Sequence, residues 1–162
     1  MRRRRRIDIT AHSTATVTAV YALLADGTTW PRWSPIESYE REQSVEPSPD
    51  GIGEIRIYRL GRTTGRDQIV ELVPGRRFAY RALSGLPVRD YLGEVDLEPT
   101  TTGSTIRWRA SFVARIPGTG ALLERGIRRF LEQCAHGLAQ YAAASELPSP
   151  ATNRVLDGLD RH

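Results

Sequence analysis

Apolar residues recur every three or four positions near both ends of this chain and every two positions through its middle, so the pattern reads helix, sheet, helix. Ile7, Ile9 and Ala11 alternate with Asp8 and Thr10, which predicts a short half-buried strand. Ser13, Thr14 and Thr16 follow as candidate N-caps, and Val17, Val20, Tyr21 and Leu24 then fall at helical spacing. Asp26-Gly27 stops this helix. Thr28-Thr29-Trp30-Pro31-Arg32-Trp33 predicts a second short helical turn, ended before Pro35.

From Ile36 the period becomes two. Segments near 36–45, 52–60, 63–73, 76–84, 88–98 and 104–115 read as strands, parted by turns such as Pro47-Ser48-Pro49-Asp50-Gly51, Gly61-Arg62, Pro74-Gly75 and Gly85-Leu86-Pro87. Such short links imply an antiparallel meander. Parity assigns Ile55 and Ile57 to one face, with Phe78, Tyr80 and Ala82, then Tyr91, Gly93, Val95 and Leu97, then Ile106, Trp108, Ala110 and Phe112. Glu54 and Arg56, Arg77 and Arg81, Asp90 and Glu94, Arg107 and Arg109 fall opposite. One face is apolar and aromatic and the other charged, so the sheet packs on one side only.

The covering element is the segment from about Gly118 to Glu146, where Leu123, Ile127, Phe130, Cys134, Leu138 and Tyr141 form a helical stripe. The organisation expected is a basic extension over 1–6, one domain over 7–146 and a disordered polar tail over 147–162. The class is α+β, a curved antiparallel sheet closed by a helix, and that shape encloses space.

Charge changes this picture little. The net charge of +4 rests on Arg2 to Arg6; without them 18 basic residues face 19 acids. A near-neutral body lacks the basic face that nucleic acid requires. The run is not followed by an apolar export core, and no apolar stretch approaches bilayer length, so neither export nor stable membrane insertion is expected. All 23 basic residues are arginine, which points to a GC-rich bacterial source, and the lone Cys134 suits a reducing cytoplasm.

Chemically active constellations are scarce. His12, His136 and His162 are scattered without metal-ligand spacing, so neither metal nor cofactor is expected. Ser84 and Ser111 lack a nucleophile's context, and Cys134 reads as a small core hydrophobe. Gly51, Gly53, Gly61 and Gly65 punctuate strands and open no helix, so they form no phosphate loop. The aromatic residues Trp30, Trp33, Phe78, Tyr80, Tyr91, Trp108 and Phe112 exceed what a thin interface under one helix readily absorbs. They fit a packed core or a ligand cavity equally well. Arg59 and Arg89 share the apolar parity near strand ends, where they would snorkel to solvent or orient a ligand at a cavity mouth.

Several segments in order resemble the bacterial polyketide cyclase/dehydrase branch of the START-like (SRPBCC) superfamily. They are Val20-Tyr21-Ala22-Leu23-Leu24-Ala25-Asp26, Trp30-Pro31-Arg32-Trp33, Gly51-Ile52-Gly53-Glu54, Leu72-Val73-Pro74-Gly75-Arg76-Arg77-Phe78-Ala79-Tyr80 and Gly103-Ser104-Thr105-Ile106-Arg107-Trp108. The resemblance implies a helix-grip fold: a seven-stranded antiparallel sheet wrapped round a long C-terminal helix, with two short helices after the first strand. It also implies a cavity for a hydrophobic small molecule such as a lipid or polyketide. In aromatase/cyclase members of the superfamily that cavity holds a poly-ketone chain for aldol closure and dehydration; here no inward His, Asp or Glu matches a motif.

The expected lining is Trp30, Trp33, Ile55, Ile57, Phe78, Tyr80, Tyr91, Val95, Trp108, Phe112, Ile127, Phe130 and Cys134. Arg59, Arg89, Tyr80 and Tyr91 are the candidates for proton transfer. The competing expectation is a protein-interaction module with a filled core, docking through the charged face.

Overall fold

The computed structural model describes residues 2–146; the tail expected over 147–162 lies outside them. Strand β1 (Arg4–Ser13) leads to α1 (Val17–Ala25), a 3-10 turn (Gly27–Thr29) and α2 (Trp30–Trp33). Six further strands follow, β2 (Ser38–Arg41), β3 (Ile55–Leu60), β4 (Thr63–Val73), β5 (Arg77–Ser84), β6 (Val88–Thr100) and β7 (Gly103–Ala114), before α3 (Gly120–Glu146). The strands form one antiparallel sheet in the order β1-β7-β6-β5-β4-β3-β2. This is the α+β helix-grip architecture that the resemblance implies.

Local chemistry fixes the helix ends. The Thr16 hydroxyl accepts from the Ala19 N–H and caps α1. Thr16 also donates its N–H and hydroxyl to the Glu146 carboxylate, tying the start of α1 to the end of α3. Asp26 ends α1, and its carboxylate accepts from the Thr28 N–H to begin the next turn.

β1 starts at Arg4, so Arg4–Arg6 belong to the sheet and not to the basic extension expected over 1–6. Arg4 pairs with Val113, Arg5 donates to Glu124 at 2.7 Å, and Arg2 donates to the Arg115 carbonyl. Arg4 also donates to the Ser111 hydroxyl, so three side chains of the run, Arg2, Arg4 and Arg5, are tied to the folded body. Ile7, Ile9 and Ala11 alternate into the core as expected.

On α3 the buried stripe runs through Ile127, Leu131, Cys134, Ala135, Leu138, Ala139 and Ala142; Leu123, Phe130 and Tyr141 lie on its edges, half-buried. The small residues on this stripe let α3 approach its neighbours closely. A Cβ on Gly137 would stand 1.9 Å from the Trp33 carbonyl oxygen, so only glycine permits this crossing of α2 and α3. Opposite the core, Arg77 bonds Glu71, Glu94 and Asp96, and Arg109 bonds Asp96, so the outward charges are mutually paired.

Candidate functional site: a cavity between the sheet and the long helix

Parity places most inward side chains correctly, with two exceptions that decide the site. On β3 the buried residues are Ile55, Arg56 and Tyr58, whereas Ile57 is only half-buried and Arg59 is exposed. The inward positions are therefore Arg56 and Tyr58, the reverse of the expectation. Arg56 can face inward because its guanidinium donates to the Leu24 and Ala25 carbonyls at the end of α1 and pairs with Glu54 at 3.3 Å. Ile57 and Arg59 turn to the opposite face, and Ile55, although buried, stands outside the main core cluster.

On β6 an extra residue enters between Arg89 and Leu92, and Asp90 takes the left-handed conformation with φ 51°. The bulge sends both Val88 and Tyr91 inward. It leaves Arg89 and Asp90 exposed, so Arg89 does not reach the cavity.

A cavity of about 260 Å³ lies between the inner faces of β3–β6 and α3. Of the expected lining, Trp30, Tyr80, Tyr91, Ile127 and Phe130 form its wall. Trp33, Phe78, Val95, Trp108, Phe112 and Cys134 are buried behind that wall as packed core, and Ile55 and Ile57 are absent from it. The aromatic set divides into two layers. Trp30 stacks on Tyr58 at 5.4 Å and meets Trp108 edge-on at 5.8 Å, while Tyr91 stacks on Phe112 at 6.2 Å. The rear layer fixes the rings that line the space.

Wall residues that the sequence reading omitted are Ile36, Tyr58, Leu60, Thr63, Gly65, Asp67, Ala82, Ser84, Gly85, Leu86 and Gly126. Leu60 and Leu86 are partly exposed where β3 turns into β4 and β5 into β6, and they mark the mouth.

Asp67 is the consequential omission. It sits on β4 opposite Arg56 on one side and Ala82 on the other, and shares the inward parity of Gly65 and Ile69. Desolvation pushes its carboxyl up to about 7, against a smaller opposing pull from Arg56. The same desolvation raises the Tyr58, Tyr80 and Tyr91 phenols, which stay protonated as donors, and the Cys134 thiol, which stays inert. Tyr80 accepts from Trp108 Nε1 at 3.1 Å, and its hydroxyl also shares a hydrogen bond with Tyr91. A pocket holding several phenolic donors and one carboxyl with a raised pKa can bind an oxygen-bearing or nitrogen-bearing ligand and exchange protons with it. Among the described residues, no group of three His, Cys, Asp or Glu side chains could hold a metal ion, and no helix is long and apolar enough to cross a membrane.

The model of a family described as polyketide cyclase / dehydrase and lipid transport matches residues 4–143. No curated protein matches the sequence. Among solved structures, the chain is similar to the Zhui aromatase/cyclase from Streptomyces sp. R1128, with a TM-score of 0.73 and 20% identity over 86% of this chain and 94% of that one. It is similar also to a START superfamily protein from Mycobacterium smegmatis, with a TM-score of 0.73 and 12% identity over 86% of this chain and 98% of that one. At these identities the structural likeness speaks for the fold.

Proposed function

The chain belongs to the polyketide cyclase/dehydrase and lipid transport family, and on that premise we propose that its cavity binds a hydrophobic or amphipathic small molecule, lipid-like or polyketide-like. The observation that carries this reading is the cavity itself: about 260 Å³ walled by Trp30, Tyr58, Tyr80, Tyr91, Ile127 and Phe130, with an apolar mouth at Leu60 and Leu86. A filled core, as the interaction-module reading requires, would leave no such space. A reducing cytoplasm is the compartment this reading assumes.

Cyclase or dehydratase chemistry is the second reading, favoured by the meeting of Asp67, Tyr80 and Tyr91 on the wall of one pocket. Arg59 and Arg89 face away and take no part in it. Asp67 would exchange the proton, and the phenols would donate to the carbonyl oxygen where charge develops.

Native mass spectrometry of the freshly purified protein, followed by organic extraction, tests the binding reading. A bound hydrophobic species is expected. It should be lost from an Ala82→Phe variant, whose new ring projects into the cavity from β5. An empty protein that also ignores hydrophobic fluorophores would overturn the reading.

A further inference from the structure

Asp67 is, among the described residues, the only charged side chain on the cavity wall, in a chain whose 23 basic residues are all arginine. None of the described arginines lines the space. The nearest, Arg56, lies opposite Asp67 in the β3–β4 register, but its guanidinium is committed to the Leu24 and Ala25 carbonyls and to Glu54. No hydrogen bond acts on the Asp67 carboxyl; desolvation and the field of Arg56 alone set its protonation.

The surroundings of Asp67 are aromatic and hydroxylic. β3 contributes Arg56 and Tyr58, β4 Thr63, β5 Tyr80 and Ser84, and β6 Tyr91. α2 and α3 contribute Trp30, Ile127 and Phe130, with Cys134 behind Tyr91. The phenols on this wall already offer protons to a ligand oxygen. The ionised carboxylate alone offers no proton, and it is the group whose burial is costly without a partner.

We propose that this cavity selects a hydrophobic ligand carrying one protonated nitrogen, held between the Asp67 carboxylate and the faces of the surrounding rings, and rejects fatty acids and other anionic amphiphiles. An ammonium group supplies the missing counter-charge and also meets the negative faces of Trp30, Tyr58 and Phe130. A second carboxylate would meet Asp67 as a like charge in a weakly screened site. The inference rests on the reading of the cavity as a ligand site.

The test uses the full-length chain and three probes of one shape, phenylbutylamine, phenylbutanol and phenylbutyrate, titrated calorimetrically. At about pH 8.5, where Asp67 is ionised, the amine should bind at least about tenfold more tightly than the alcohol, and the carboxylate most weakly. At about pH 5.5 the amine stays charged while Asp67 takes up its proton, so the amine's advantage should vanish. Asp67→Asn should abolish that advantage at both pH values. Because the pH comparison is made on the unaltered protein, it stands whether or not the variant folds. Equal binding of amine and alcohol by the unaltered protein at high pH overturns this inference and leaves the container reading intact. Failure of all three probes, in a protein that also purifies empty, removes both.

Discussion

The guanidinium of Arg56 donates to the Leu24 carbonyl across 3.0 Å, joining the inner face of β3 to the last turn of α1. It also lies over the Phe78 ring at 5.4 Å, so a charge buried to 1% exposure is satisfied on several sides. Arg56→Met keeps the bulk but leaves the Leu24 and Ala25 carbonyls without this donor and Glu54 without its counter-charge, although Tyr39 still donates to that carboxylate. We expect a loss of about 3 kcal/mol or more in urea unfolding, with α1 detaching first by hydrogen exchange. A loss below about 1 kcal/mol would mean that water replaces the guanidinium there.

Tyr80 supplies the acceptor for Trp108 Nε1 in a site where both rings are buried. Tyr80→Phe strands that indole N–H and should destabilise the fold by about 1–3 kcal/mol. Trp108→Phe alone should cost packing, and the double variant should cost less than the sum, a coupling that a double-mutant cycle measures.

Gly93 on β6 lies beneath the Tyr80 ring. A Cβ at that position would come within 2.2 Å of Tyr80 Cζ. Gly93→Ala should therefore tilt the ring into the cavity, lower stability by about 1–3 kcal/mol and reduce ligand uptake. Thermal unfolding together with a fluorophore titration would register both effects; unchanged uptake would show that the ring moves elsewhere.

Asp67 gives stability an unusual pH slope. Its carboxyl holds a proton up to about pH 7 in the folded chain, whereas an unfolded aspartate loses it near 3.8. Between those values the folded state binds more protons, so stability falls as pH rises and levels off above about 7. The expected loss is roughly 2–4 kcal/mol across that window. Asp8, Asp96 and Glu146 shift the other way and act at lower pH, where their partners are lost. Urea midpoints for the native chain and for Asp67→Asn isolate the term, since the variant should lack the downward slope.

Much of the architecture is legible in the chain. β4 begins and ends where period-two alternation predicts, and β5, β6, β7 and α3 lie within two residues of their expected bounds. A helical N-cap at Thr16 and a stop at Asp26-Gly27 are equally plain. The cavity wall is less so, because it depends on parity at three irregular places. Arg56 looks like a surface residue until α1 supplies carbonyls to receive it, a tertiary fact invisible to spacing. The bulge at Asp90 breaks the count between Arg89 and Tyr91. On β4, an extra residue at Val70 places Ile69 and Leu72 on the same side, which breaks the alternation that would otherwise mark the inward face. Only Ile69, two positions from Asp67 in a polar stretch, signals it. The resemblance to START-like proteins conveys the container and its closing helix, while the identity of its charged residue emerges only from packing.

The antiparallel pairing of β1 with β7 sets a demand on assembly. Ile7 must wait for Ala110, and Ser13 for Ser104, while the neighbours from β3 to β7 are joined by tight turns and β2 reaches β3 through one longer loop. As the chain leaves the ribosome, the hairpins from β2 to β7 can zip in turn, but β1 has no partner until β7 has emerged. Closing that long loop is slow, and the edge of β7, with Trp108 and Phe112 at its core face, stays open meanwhile. The vulnerable species on this landscape is therefore a six-stranded intermediate, able to accept a β1 from another chain and swap before its own arrives.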